Sequence, residues 1–319
     1  MDNKASVLIV GDANPDLILR GDVKPRFGQA EQLLTGADLV LGGSAAITAA
    51  GCARLGLPTV LLAAVGDDVF GAVTRQCLAA LGVRLESPAT SAPTGLSVHL
   101  STEDDRAILT LPGAIPALRP DDVTDELLAA AGHVHVGSLY LQPALAAGLA
   151  GVFKRARELG VSTSLDTNWD PAGRWESIAE ILAYTDVFLP NAAELLAITG
   201  AGDVGAGAAE LVAGGTTVVM KDGARGARAW WPGGHCAAPG REVRVVDTAG
   251  AGDSFNAGFL AGRLAGLAIE EAVGWAAVAG SLSTRSAGGT EAQATRAELT
   301  VCRTLAGSAG SPCPPGGVS

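Results

Sequence analysis

The residues that could do chemistry are densest in Asp247-Thr248-Ala249-Gly250-Ala251-Gly252-Asp253-Ser254. Gly250, Ala251 and Gly252 carry almost no side chain, so a ligand can come close to their backbone. If this stretch opens a helix, its first amides point outward at the positive end of the helix dipole and form an anion hole. Asp253, directly behind, is out of place in a simple phosphate site, because its charge would repel the anion. The combination makes sense if Asp253 faces an attacking hydroxyl. The carboxylate would take the proton while the amides hold the charge gathering on a transferred phosphoryl group. A plainer reading stands beside this one: the glycines make a turn and Asp253 caps the next helix.

Other chemistry-bearing residues read as structural. His133 and His135 share a face of one predicted strand, as two metal ligands would, but no third ligand is evident. Trp230-Trp231, before Pro232-Gly233-Gly234, reads as aromatic packing on an edge hairpin. The glycines from Gly202 to Gly207 do not follow a strand, as a dinucleotide fingerprint requires.

The elements that must position Asp253 follow from apolar periodicity. Val243 to Val246 reads as a strand leading into the glycine loop. The helix beyond carries Ala257, Gly258, Ala261 and Gly262, which permit close packing. Ser6 to Val10 is a buried strand ending in Gly11-Asp12-Ala13-Asn14-Pro15. Leu39 to Leu41 ends in Gly42-Gly43, and Ser44 to Leu55 is a small-residue helix with Ser44 as its N-cap. Thr59 to Val65 is a strand and Val69 to Leu81 a helix. Strands follow at 133–136, 161–165, 186–189 and 216–220, with helices at 143–159, 175–184, 191–199 and 204–213. This alternation predicts an α/β fold with a mostly parallel sheet covered on both faces.

Residues 16–40 and 94–112 break the rhythm. Leu96, Val98 and Leu100, then Ile108 and Leu109, flank a polar tip from Thr102 to Arg106 that includes Asp104 and Asp105. These segments predict a small antiparallel sheet projecting as a lid. Helices dominate after Gly250. One domain is expected over residues 1–306, with a Gly/Ser/Pro-rich, disordered tail over 307–319.

Composition bounds the partners. The 319 residues are 48% hydrophobic and 17% charged, enough to bury a large core. The net charge of −11 and the lack of a basic block disfavour nucleic acid as a partner. Five cysteines form no Cys-x-x-Cys pair and read as reduced thiols of a cytoplasmic enzyme. The apolar run near the N-terminus is too short for a signal peptide or a membrane span.

The stretch from Asp247 to Phe259 resembles the C-terminal signature of the ribokinase-like (PfkB-type) carbohydrate kinases. Gly42 to Ala46, Ala53-Arg54-Leu55-Gly56 and Val65 to Gly71 resemble their N-terminal signature. The resemblance covers about residues 5–305. It implies a ribokinase-like three-layer sandwich with a small β-sheet lid, and ATP-dependent phosphorylation of a sugar or sugar-like hydroxyl. Asp253 then matches the family's general base, and Gly250, Ala251 and Gly252 its anion hole. Asn14 and Asp16 match positions that bind substrate hydroxyls, and Gly42 and Gly43 a backbone stretch lying against the sugar. Asn191 and Glu194 match an Asn-x-x-Glu motif that orders Mg²⁺ and phosphate, partly through water. Locally the same two residues read as a helix capping box. Lys221, Gly223 and Gly226 match a nucleotide-binding turn, and Ala277 lies in the segment walling the adenine pocket. Some relatives bind a monovalent cation such as K⁺ near the position of Asp247. In relatives lid sheets also pair between subunits, which makes a homodimer the expected assembly.

Departures from the family pattern bear on substrate. Ile47 stands where an Asn usually touches the sugar, which predicts a less polar substrate edge. Asp166 and Asn168 match an Asp-x-Asn-x-Arg run of kinases for keto-acid sugars or fructose, but Asp170 occupies the Arg place. Its charge predicts discrimination against acidic sugars and sugar phosphates. A nucleoside kinase of the same family is the alternative reading, since ribosides offer Asp16 the same vicinal hydroxyls. A non-catalytic sugar- or nucleotide-binding protein is a further one. A dinucleotide-dependent oxidoreductase lacks its glycine fingerprint after the first strand.

Overall fold

The computed structural model describes residues 6–102 and 106–307. The nine strands of the main sheet are β1 (Val7–Val10), β4 (Thr59–Leu62), β5 (Arg84–Glu86), β8 (His133–Gly137), β9 (Ser162–Asp166), β10 (Val187–Phe188), β11 (Thr217–Lys221), β12 (Ala227–Trp231) and β13 (Gly234–Ala238). Their order is β13-β12-β11-β10-β9-β8-β1-β4-β5. All neighbours run parallel except the β11–β12 and β12–β13 pairs at one edge.

Alternation along β1 shows why there are three layers. Val7 and Ile9 point into one core and Leu8 and Val10 into another. The first core is closed by α1 (Ser44–Arg54), α2 (Val69–Ala80), α9 (Ala251–Leu264) and α10 (Ile269–Ser283). The second is closed by α3 (Asp125–Ala130), α4 (Pro143–Ala146), α5 (Leu149–Glu158), α6 (Ile178–Leu182), α7 (Ala192–Thr199) and α8 (Val204–Ala213). The last helix is α11 (Arg296–Gly307). Small residues set the close contacts: a β-carbon on Gly258 of α9 would meet the Ala279 methyl of α10 at 2.7 Å. The single helix expected over 143–159 is two, α4 and α5, parted at Gly148, where a β-carbon would meet Pro120.

A second sheet, ordered β3-β2-β6-β7, joins β2 (Asn14–Gly21), β3 (Leu34–Gly42), β6 (Leu96–Ser101) and β7 (Arg106–Leu111). It is not wholly antiparallel as expected, because β2 and β6 pair in parallel. Each belongs to its own antiparallel hairpin, and the long intervening crossover through β4, α2 and β5 brings β6 alongside β2 in the same direction. Register sorts its faces. Asp16, Val40, Ser97 and Thr110 share one face, and Leu17, Leu39, Val98 and Leu109 the other.

The strand expected over 243–246 is not formed. That segment pairs with no strand; the N–H groups of Val246 and Asp247 donate instead to Thr284 O at the end of α10, and Val245 and Val246 stay exposed. Of the disordered tail expected over 307–319, Gly307 instead closes α11, and 308–319 lie outside the described residues, as do Asp104 and Asp105 of the expected hairpin tip.

Candidate active site

Gly250 is the N-cap of α9 and adopts a left-handed φ of 68°, which favours glycine. Its would-be β-carbon would meet Gly289 and Ile47. Ala251, Gly252 and Asp253 form the first turn of α9, where backbone N–H groups have no helical acceptor. The Asp253 carboxylate accepts a hydrogen bond from the Ser44 hydroxyl of α1. Burial pushes its carboxyl up to about 7. The charges of Asp166 and Asp12 add to the rise, while the Ser44 bond and Lys221 oppose it.

A cleft of about 690 Å³ runs from Asp253 along one side of α9. Asn191, Glu194, Lys221, Gly223, Gly226 and Ala277 line it, so the expected nucleotide residues are brought together with Gly252 and Asp253. Asn191 and Glu194 do form a capping box on α7: Glu194 N donates to Asn191 Oδ1 at 2.9 Å, and Asn191 N to Glu194 Oε2 at 2.8 Å. Burial, then the charge of Asp166, raises the Glu194 pKa. Among the described residues no group of three or more His, Cys, Asp or Glu could hold a metal ion. A cation accompanying a nucleotide would therefore take its ligands from phosphate and water with Glu194 at its margin, a donor set that suits Mg²⁺.

Lys221 lies beside the glycine-rich start of α9: a β-carbon on Gly252 would be 3.6 Å from its Nζ. Its ammonium is 2.5 Å from Asp166 Oδ2. Burial disfavours the charge on Lys221, but Asp166, Glu194 and Asp253 outweigh it and its pKa is raised.

The expected substrate residues reach Asp253 through the Gly42-Gly43-Ser44 turn, with Asp16 against Gly42 and Ser44 bonded to Asp253. Asn14 Nδ2 donates to Asp16 Oδ1 at 3.0 Å, and His99 Nε2 lies 3.2 Å from Asp16 Oδ2. A β-carbon on Gly42 would run into the Asp16 carboxylate, so this glycine is required by Asp16 itself. Gly43, with φ 87°, turns the chain into α1.

Several expectations change. Ser44 is not the N-cap of α1; Gly43 holds that position, and Asp12 serves the helix end by accepting from Ser44 N and Ala45 N. Asp166 is 1% exposed and bonds Lys221, Asn256 and the Asn168 amide, and with Asn168 it lines the cleft. Asn168 reaches Ser138 and the Ser44 hydroxyl. Asp170 is turned onto the amides of Ala172, Arg174 and Trp175. Its charge is spent on its own loop, which removes the ground for excluding acidic sugars. Ile47 packs on the glycine loops: a β-carbon on Gly289 would meet its Cδ1 at 2.5 Å. Asp247 ties two loops by accepting from Ala249 N and Gly288 N.

Ser44, His99, Asp12 and Asn256 were missed as site residues. Only Asp12 carried a signal, as an acid at the end of a buried strand. The other three depend on tertiary contacts. His133 and His135 bond to Ser162 and Ser164, and burial keeps them neutral, with pKa values of about 3 and about 4.

A buried carboxylate at a glycine-rich helix start, on a three-layer α/β sheet with a small second sheet, defines a small-molecule phosphotransferase. The comparisons agree. The pfkB family carbohydrate kinase model matches residues 4–296. The chain is 34% identical to the ATP-dependent ribose-1-phosphate kinase of Halopiger xanaduensis over 282 residues, 87% of this chain and 91% of that one. Adenosine kinase from Sinorhizobium meliloti superposes with a TM-score of 0.82 at 25% identity, covering 95% of this chain and 99% of that one. A putative ribokinase II from E. coli, in complex with ATP and Mg²⁺, superposes at 0.83 and 22% identity, over 94% and 99% of the two chains, and shares the fold. The chain belongs to the PfkB family of carbohydrate kinases. It is an ATP-dependent phosphotransferase acting on a hydroxyl of a sugar or sugar-like small molecule.

Proposed function

We propose that Asp253 is the general base, that the amides of Gly250, Ala251 and Gly252 hold the charge of the transferred phosphoryl group, and that the acceptor is a free pentose. The observation that carries this reading is the place of Asp253, in a cleft lined by the nucleotide residues and joined through Ser44 to the Asn14–Asp16–Gly43 cluster. A base whose pKa is near the working pH is ionised often enough to act and still basic enough to take a proton.

In this reading Asp16, oriented by Asn14 and His99, accepts hydrogen bonds from two vicinal hydroxyls. The second sheet closes as a lid over residues 14–42 and 96–111 and excludes water. Asp253 accepts the proton of the attacking hydroxyl, and Lys221 adds positive charge beside the phosphates. Mg²⁺, marginally held by Glu194 through water, would neutralise phosphate charge. For a monovalent cation at Asp247 the support is thinner, since both carboxylate oxygens already accept amides. Exchanging K⁺ for Na⁺ in the assay reads that out.

A nucleoside acceptor is the second reading. Trp169 follows Asn168, is 56% exposed and is held edge-on to Trp175 at 5.2 Å, a surface on which a base could stack. A coupled ADP-release screen over pentoses, pentose phosphates, hexoses, polyols and nucleosides decides between the two. Turnover confined to hexoses or polyols contradicts both.

We also infer a homodimer through the second sheet. Leu17, Leu39, Val98 and Leu109 share its outer face, with Leu39 43% and Leu109 60% exposed. A single-layer sheet with one uncovered apolar face needs a partner. Sedimentation of Leu39→Lys/Leu109→Lys should show a monomer; a monomeric wild type refutes the inference. A cytoplasmic setting is supported by the free thiols of Cys52, Cys77 and Cys236.

A further inference from the structure

Ser44 is the first residue of α1, yet its hydroxyl caps nothing, because Asp12 serves that helix end: its Oδ2 accepts from Ser44 N at 3.1 Å and its Oδ1 from Ala45 N at 2.9 Å. The freed hydroxyl donates to Asp253 Oδ1 across the α1–α9 contact. No other hydrogen bond to the Asp253 carboxylate is seen among the described residues. Ser44 is 8% exposed, so water does not compete well for that bond.

Asn168 Oδ1, 3.5 Å from Ser44 Oγ, is a more distant acceptor for the same single proton, which the closer Asp253 carboxylate takes, and Asn168 Nδ2 donates to Ser138 Oγ at 3.1 Å. Ser138 also lies near enough to Asp12 to favour its ionised form. Ser138 and Asn168 both hold left-handed backbones, with φ of 53° and 51°, a conformation that costs non-glycine residues energy and gathers at functional sites. Asp12, Ser138, Asn168 and Ser44 thus form a polar chain from the end of β1 to the base.

We propose that Ser44 is the positioning residue of the catalytic base: its hydroxyl fixes the Asp253 carboxylate toward the acceptor and favours its ionised form. This rests on the reading of Asp253 as base. Three charged groups besides Ser44 face Asp253: Asp12 after β1, Asp166 at the end of β9, and Lys221 on β11. Asp12 and Asp166 raise its pKa together with burial, while Lys221 and the Ser44 bond lower it. All but the Ser44 bond persist in a Ser44 variant.

The test is the pH profile of kcat/KM for Ser44→Ala, with Ser44→Thr as the variant that keeps the hydroxyl. Losing one hydrogen bond to a carboxylate moves the acidic limb to higher pH by about one unit. At pH 7 kcat/KM should fall about fivefold, as the ionised fraction drops from about one half to about one tenth, and about tenfold on the acidic limb, with KM for ATP unchanged. Ser44→Thr should restore the limb. If Ser44→Ala does not fold, Ser44→Cys keeps the volume with a weaker donor and should move the limb the same way. An acidic limb at the wild-type pH in the folded variant overturns the proposal, whatever the rate. Asp253→Asn separates the two readings: retained turnover there removes the base assignment itself, while an inactive Asp253→Asn with an unmoved Ser44→Ala limb removes only the role of Ser44.

Discussion

Lys221 Nζ lies 2.5 Å from Asp166 Oδ2, and this ion pair sits beside the glycine-rich start of α9, with the carboxylate side chain only 1% exposed. Asn256 of α9 donates to the same oxygen at 2.6 Å. The pair therefore ties β9, β11 and α9 together. A lysine at the end of a strand looks ordinary in sequence; buried against a carboxylate, it becomes both a structural anchor and a fixed positive charge.

Removing one partner should be costly. Lys221→Met leaves Asp166 buried and uncompensated, which destabilises by about 3–5 kcal/mol. Lys221→Met/Asp166→Asn should recover most of that loss in urea unfolding and recover none of the activity. Recovered activity in the double variant would show that Lys221 acts only through Asp166.

The raised pKa of Asp253 has two consequences with opposite signs. As a base it must be ionised, so kcat/KM should fall as pH drops through about 7. For stability, a carboxyl whose folded pKa exceeds its unfolded value binds more protons when folded. Its contribution to stability is then greatest near and below pH 4, and is lost as pH rises through about 7. Asp253→Asn should therefore melt at a higher temperature than wild type at pH 8, and the gap should narrow toward pH 5. Equal melting temperatures at pH 8 would show that the carboxylate is not strained by burial.

Gly42→Ala drives a methyl against the Asp16 carboxylate. KM for the sugar should rise by tenfold or more, since a lost hydrogen bond from a charged group is worth roughly 1.5–3 kcal/mol. KM for ATP should hold. An equal rise in both would place Asp16 outside the acceptor site.

Ile47→Asn tests the source of substrate preference. Ile47 covers Gly250 and Gly289, so the polar variant should change the ranking of acceptors in the ADP-release screen. An unaltered ranking would assign Ile47 to loop packing alone.

The layered fold was legible because β1, β4 and β11 are largely buried and read as apolar runs between helical periods. The glycine loop and its acid were legible because they lie in one continuous stretch. Val243 to Val246 misled: alternating valines look like a strand, but the Thr284 carbonyl takes up the amides of Val246 and Asp247. Asp170 misled for the same reason, since nothing local shows that three backbone N–H groups would claim its carboxylate. Ser44 and His99 were invisible because their partners, Asp253 and Asp16, lie 209 and 83 positions away in the chain.

Single-turnover kinetics of Asp253→Asn reads the role of that carboxylate without product release. Sugar and ATP affinities should stay close to wild type, with phosphoryl transfer slowed roughly 10²–10⁴-fold. Transfer at a near wild-type rate in that variant would contradict that role.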